Sequence, residues 1–148
     1  MINDNIPKLE KEICEKLHDV SKGATHVVYS ICYDRSSSMI NMPSAPEALQ
    51  NFINMQKDFC ETNNIIGNLS ITAFDTIAEK IPKFDNVNIS EISMLPSSVL
   101  KPRGYTRLID TAIETISEFR DICKETSEKQ NKQDKTSVTK GVFLIITD

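Results

Sequence analysis

The segment from Asp34 to Ser38, Asp-Arg-Ser-Ser-Ser, has the residue types and the spacing of a site for a hard metal ion. It follows an apolar run, and Asp34, Ser36 and Ser38 alternate, so their side chains can point the same way where a strand turns into a helix. Carboxylate and hydroxyl oxygens suit Mg²⁺, Mn²⁺ or Ca²⁺ better than zinc. The alternative is that these residues only cap a helix or form a turn, since Asp and Ser are favoured there.

The composition predicts an ordinary globular domain. The chain has 148 residues, 39% of them hydrophobic and 26% charged, which is enough for one domain with a sizeable core. A net charge of -4 argues against general nucleic-acid binding. No signal peptide is seen, and the longest apolar run, residues 142–146, is too short to span a bilayer. We therefore expect a cytoplasmic protein with no membrane partner, whose cysteines at 14, 32, 60 and 123 are reduced and structural.

Apolar residues spaced three or four apart predict helices over residues 6–20, 45–61 and 106–123. Residues 124–140 are polar and rich in Lys, Glu, Gln, Ser and Thr, which predicts a flexible exposed loop. The apolar residues of the third helix are expected to form its buried face. They are Leu108, Ile109, Ala112, Ile113, Ile116, Phe119 and Ile122.

The predicted strands alternate with these helices. Residues 26–33 and 142–146 are apolar at nearly every position, as in strands buried on both faces. Residues 69–74 predict a second strand, and residues 78–84 predict a weaker one that Pro82 confines to a sheet edge. This order predicts an α/β fold with a doubly wound, mostly parallel sheet and one antiparallel edge hairpin.

Polar residues are expected to meet at one edge of this sheet. Ligands of such sheets bind beyond the carboxyl ends of the strands. Asp34 ends one predicted strand and Asp148 ends another, while Thr106 lies where a loop enters a helix between them. The sequence therefore predicts that the three side chains share the carboxyl edge.

Three pieces of the sequence stand out together: Asp34-x-Ser36-x-Ser38, Gly104-x-Thr106-x-Leu108 and Thr147-Asp148. In this order they resemble the metal-ion-dependent adhesion site of the von Willebrand factor A family. The resemblance covers residues 25–148 and implies a Rossmann-like fold, whereas residues 1–24, with the predicted amphipathic helix, form a separate N-terminal part.

The resemblance implies five metal ligands, Asp34, Ser36, Ser38, Thr106 and Asp148. The hydroxyls would bind the ion directly, and the two aspartates would bind it directly or through water. The ion is usually Mg²⁺ in the family, with Mn²⁺ or Ca²⁺ as alternatives, and one open position takes an Asp or Glu of a partner protein. The implied function is a metal-dependent protein–protein interaction module, not an enzyme.

The sequence departs from the family pattern in two places. Ser37 stands where glycine is common, which narrows the freedom of the backbone but removes no ligand. Family members continue past the Thr-Asp pair, so the fold is expected to be C-terminally incomplete, with the chain a fragment or completed by a second chain. The outer edge of residues 142–146 is then expected to lack a strand partner and to favour self-association.

Other functions stay open at this stage. Asp34 could be the nucleophile of a Mg²⁺-dependent phosphoryl-transfer hydrolase, although the sequence places no second acid two residues later. The domain could also be a scaffold without a metal. Asp75 could be a turn residue or could support the site. Four basic residues near the ligands could steer an acidic partner or be solvated surface charges. They are Arg35, Lys101, Arg103 and Arg107.

Overall fold

A computed structural model describes residues 6–75, 77–96, 100–104 and 108–147. Within these ranges the chain forms three α-helices and five strands. The helices are α1 (Ile6–Ser21), α2 (Ala45–Thr62) and α3 (Leu108–Gln133). The strands are β1 (His26–Asp34), β2 (Ile66–Phe74), β3 (Ala78–Lys80), β4 (Val87–Asn88) and β5 (Thr139–Ile146). The first two helices and the strand between them agree with their predictions to within a residue or two.

The strands form one mostly parallel sheet with the order β3-β2-β1-β5, and β4 also pairs with β2. The central strand β1 runs parallel to both β2 and β5, whereas β3 and β4 run antiparallel to β2. The predicted mixed α/β fold with an antiparallel hairpin at one edge is therefore confirmed. The register pairs Asp34 with Phe74 and Tyr33 with Ile146, so three strands end level at the carboxyl edge.

Helices cover both faces of the sheet, because alternate residues of β1 point to opposite sides. The hydroxyl of Tyr29 donates to Oε1 of Gln56 in α2 over 3.2 Å. On the other face α3 packs against β1, with Thr115 beside the thiol of Cys32. Every residue of β1 after His26 is buried, as the apolar run predicted. The core thus holds β1 rigidly, and Asp34 ends the most enclosed strand.

The strand β5 is less buried than predicted. Only Val142 of its eight residues is buried, and Ile145 is 38% exposed. The reason is its place in the sheet: within the described ranges β5 pairs with β1 alone and therefore forms an edge. The prediction that residues 142–146 are buried on both faces is wrong.

The helix α3 extends ten residues further than predicted, so the predicted loop over 124–140 is wrong as far as Gln133. It is also wrong at residues 139–140, where β5 begins. Lys, Glu and Gln are good helix formers. Glu125 and Lys129, and likewise Glu128 and Lys132, are four residues apart, a spacing that stabilises a helix surface. Polarity indicated a solvated segment correctly, but it did not distinguish a solvated helix from a loop.

The buried face of α3 also differs from the prediction. Thr111 and Thr115 are buried, whereas Ile113 and Ile116 are 63% and 48% exposed. A helix turns once in about 3.6 residues, so Thr111 and Thr115 share a face from which Ile113 points away. The two threonines fit against the sheet because Thr115 meets the thiol of Cys32. Apolar spacing alone therefore placed Ile113 and Ile116 wrongly, whereas the side chains of Leu108 and Ile109 lie outside the described part of the chain.

The hairpin strand is shorter than predicted. It ends at Lys80, and Pro82–Phe84 forms a 3₁₀ turn, because proline offers no N–H for a further ladder bond. The prediction of a strand over residues 78–84 is wrong beyond Lys80. The four cysteines, all within the described ranges, are free thiols. None of the helices described combines the length and apolarity needed to cross a bilayer.

Candidate metal site

The site begins at the carboxylate of Asp34, which is 1% exposed at the end of β1. Its Oδ1 accepts a hydrogen bond from the backbone N–H of Ser36 over 2.8 Å. Its Oδ2 accepts one from the hydroxyl of Thr147, just beyond β5, over 2.7 Å. Both oxygens therefore face the carboxyl edge, and one of them ties the ends of β1 and β5 together.

The hydroxyls of Ser36 and Ser38 lie next to each other. Their Oγ atoms are 3.0 Å apart, with Ser36 buried and Ser38 exposed. Ser36 stands at the N-cap of a 3₁₀ turn, Ser37–Asn41, yet its side chain makes no capping hydrogen bond within the described part of the chain. The turn interpretation therefore fits Asp34, which binds the N–H of Ser36, but the cap interpretation does not fit the Ser36 hydroxyl.

Two predicted ligands, Thr106 and Asp148, lie outside the described residues. The segments that lead to them do reach the site. The carbonyl oxygen of Gly104 accepts hydrogen bonds from the backbone N–H and the hydroxyl of Ser37, both over 3.0 Å. Thr147 contacts Asp34 directly. The structure thus brings together three of the five predicted ligands. It also places Gly104 and Thr147, which precede the other two in sequence, next to them.

A cluster of two arginines and two acids adjoins the site. We call it the arginine–acid cluster, and it consists of Arg35, Asp75, Glu79 and Arg103. Oδ2 of Asp75 accepts from Nε of Arg35 over 3.1 Å and from Nε of Arg103 over 2.6 Å. Oε2 of Glu79 accepts from the Nη2 atoms of the same arginines over 2.8 and 3.2 Å. The two guanidinium groups therefore share two acceptor oxygens, one from Asp75 and one from Glu79.

The cluster shifts the pKa of both acids downward. Burial raises the pKa of Asp75, but the hydrogen bonds from Ile77 N–H and Arg103, with the charges of Arg35 and Arg103, outweigh it and leave a lowered pKa. The hydrogen bond and charge of Arg35 lower the pKa of Glu79. Both carboxylates are therefore ionised at neutral pH and balance the two guanidinium charges.

The arginine–acid cluster changes the interpretation of the basic residues. Arg35 is buried, with a side chain 4% exposed, so it is not a solvated charge. Arg103 is 56% exposed but pairs with the same two acids, so its charge is largely neutralised by them. Of the other two, Lys101 is exposed and Arg107 lies outside the described residues. The parallel register could have predicted the contact, because pairing Asp34 with Phe74 sets Arg35 beside Asp75.

The donor set matches the chemistry of hard cations. Among the described residues, no three or more His, Cys, Asp and Glu side chains form a group that could hold a metal. His18 lies against α2, stacked on Phe59 with ring centroids 4.1 Å apart, and not at the carboxyl edge. Among the described residues the candidate site is one buried carboxylate and two hydroxyls, together with Thr147, which the sequence did not assign as a contact of Asp34.

Comparisons of the chain with protein families, with curated proteins and with solved structures found no significant match.

Proposed function

We propose that this domain is a divalent-metal-dependent protein-interaction module that binds an acidic residue of a partner protein through Asp34, Ser36 and Ser38. The observation that carries the proposal is the pair of hydroxyls 3.0 Å apart beside a buried carboxylate, at the edge where three strands end. The Ser36 hydroxyl makes no capping bond in the described contacts, so its place is not explained by helix capping.

The spacing of the two hydroxyls allows both of them to bind one divalent ion. Two ligands at neighbouring corners of an octahedron, each about 2.1 Å from the ion, lie about 3 Å apart. With metal–oxygen distances of about 2.4 Å, as for Ca²⁺, they would lie about 3.4 Å apart. The 3.0 Å between the Oγ atoms of Ser36 and Ser38 is the length of the hydrogen bond between them, so a small movement would fit either kind of ion. A bound ion would replace the hydrogen bond between them.

The proposal assigns the remaining ligands to Thr106 and Asp148, as the resemblance to von Willebrand factor A domains implies. It also assigns the sheet to the doubly wound type of that family, which the strand order and the helices on both faces support. A site with hydroxyl ligands and few carboxylates leaves the ion under-neutralised. Such an ion favours a further carboxylate, and that is the group by which a partner would be recognised.

The first test is a thermal unfolding series with MgCl₂, MnCl₂ and CaCl₂ against EDTA. A ligand that binds only the folded state at one hundred times its Kd adds about 2.7 kcal/mol of stability. For a chain of this size that corresponds to a rise in Tm of about 5–10 °C. Ser38→Ala should reduce the rise without harming the fold, since Ser38 is exposed.

Ser44→Ala is the matched control, because Ser44 is exposed like Ser38 and, like Ser36, is an N-cap serine that makes no capping bond within the described residues. It should keep the full metal-induced rise. The second variant is the double substitution of Ser36→Ala with Thr106→Ala. If this variant and Ser38→Ala both show the same metal-induced rise in Tm as the wild type, the assignment of the site is wrong.

The second test concerns the partner. Peptides selected from a random display library in MgCl₂ and eluted with EDTA should contain Asp or Glu, and exchange of that residue for Asn or Gln should abolish binding. Turnover of a generic phosphoester that disappears in Asp34→Asn would instead support a hydrolase and overturn the proposed function.

A further inference from the structure

We propose that Asp75 is a positioning residue, which holds the loop before α3 against the turn after β1 and thereby sets the distance between the two ligand-bearing segments. This inference rests on the proposed function for its effect on metal, but its structural part can be tested without metal. Asp75 is outside the motif that resembles an adhesion site, and it lies at the end of the neighbouring strand β2.

The geometry places Asp75 between two segments that are far apart in sequence. Its Oδ2 accepts from Nε of Arg35, in the turn, and from Nε of Arg103, in the loop, over 3.1 and 2.6 Å. Its Oδ1 accepts from the backbone N–H of Ile77 over 3.0 Å, which fixes the carboxylate itself. The carboxylate is therefore anchored to its own turn while it bridges two guanidinium groups.

The bridged segments are also joined through their backbones. The N–H of Arg103 donates to the carbonyl oxygen of Arg35 over 2.5 Å, and the N–H of Ser37 donates to that of Gly104 over 3.0 Å. Ser37 lies between the two serine ligands, and Gly104 precedes the predicted ligand Thr106 by two residues. Whatever holds these two backbone bonds together also holds the two halves of the proposed site in register.

Charge explains why Asp75 is needed for this arrangement. The guanidinium groups of Arg35 and Arg103 share the same two acceptor oxygens, so they lie close to each other, and like charges repel unless an anion lies between them. Glu79 also contacts both arginines, but its side chain is half exposed and therefore more screened. Loss of the buried charge at Asp75 would leave Glu79 alone to offset two guanidinium charges and would therefore weaken the attraction between turn and loop.

The test uses the full chain and the variant Asp75→Asn, which preserves size and removes charge. Amide hydrogen exchange followed by NMR at Arg103 and Ser37 should become about tenfold faster or more, while amides in the middle of β2 keep their protection. Mg²⁺ affinity, measured by calorimetric titration with MgCl₂, should fall by about 10- to 100-fold, the usual effect of removing a group that orients metal ligands.

Asp85→Asn is the matched control. Asp85 follows the same hairpin and pairs with Lys80 over 3.4 Å, but it does not take part in the arginine–acid cluster. It should change neither the exchange at Ser37 nor the Mg²⁺ affinity. If Asp75→Asn fails to fold, Arg103→Gln, at a half-exposed residue, provides the second variant and should likewise expose the amide of Ser37 to exchange.

The outcomes separate this inference from the proposed function. Unchanged exchange at Ser37 in a folded Asp75→Asn or Arg103→Gln variant would overturn the positioning role. Faster exchange with unchanged Mg²⁺ affinity would show that the contact is structural only, which also overturns the inference. Faster exchange in a protein whose wild type binds no Mg²⁺ would support the positioning role of Asp75 and overturn the proposed function alone.

Discussion

The hydrogen bond from Thr147 to Asp34 gives a prediction whose size can be worked out. Thr147→Val preserves the shape of the side chain and removes the hydroxyl that donates to Oδ2 of Asp34 over 2.7 Å. Hydrogen bonds to charged groups contribute about 1.5–3 kcal/mol. Asp34 is buried, but Thr147 is only half buried, so water can partly replace the lost donor and the lower value, about 1.5 kcal/mol, applies. For a domain of this size the Tm should fall by about 3–6 °C.

Equilibrium unfolding in urea, with EDTA present, measures this difference without a contribution from metal. Thr147→Ser is the matched control, since it keeps the hydroxyl and removes only a methyl group, and it should stay closer to the wild type. If Thr147→Val is as stable as the wild type, or if Thr147→Ser loses as much, then the bond to Asp34 does not join β1 to β5 in the way that the distance indicates.

Three further predictions follow from packing, charge and the sheet edge. Gly141→Ala should destabilise the domain by about 1–3 kcal/mol in urea titrations, because the added Cβ would lie 2.6 Å from Phe119 and 2.8 Å from Cys123. The pKa values of Asp75 and Glu79 are lower in the folded protein than their unfolded values of 3.8 and 4.5. Their contribution to folding stability is therefore fully present above those unfolded values and is lost as the pH falls through the lower pKa values of the folded state. The stability gap between wild type and Asp75→Asn should therefore narrow in urea titrations below about pH 4. Analytical ultracentrifugation should find self-association through the outer edge of β5, and a dilution-resistant monomer would contradict it.

The central part of the fold could be predicted because its signals are strong and local. A run of apolar residues enclosed on both faces, as in β1, has few alternatives to a buried strand. The pair Ser36 and Ser38 was also found from spacing alone, since alternation brings side chains to one side. The exposure of β5 was missed although its outer edge was expected to lack a strand partner, because an apolar run indicates a strand but not how completely its faces are covered.

The contacts that complete the site depend on which strands are neighbours, and this is why they were missed. Arg35 and Asp75 meet because β1 and β2 are adjacent and parallel, a fact that no local pattern contains. Thr147 reaches Asp34 for the same reason, across the pairing of β1 with β5. Both contacts become predictable once strand order and register are known. Composition and periodicity do not supply that information.

The length of α3 has a consequence for how the domain opens. A helix of 26 residues is about 39 Å long, whereas β5 with 8 residues spans only about 26 Å. The helix is therefore longer than the strand that follows it. Its last turns, after Cys123, have exposed or half-buried side chains. We expect these turns to open more readily than the part of α3 where Thr115 lies against β1, because fewer of their side chains are buried. That end of α3 is accordingly the place to attach a spectroscopic label or an affinity handle while leaving the carboxyl edge undisturbed.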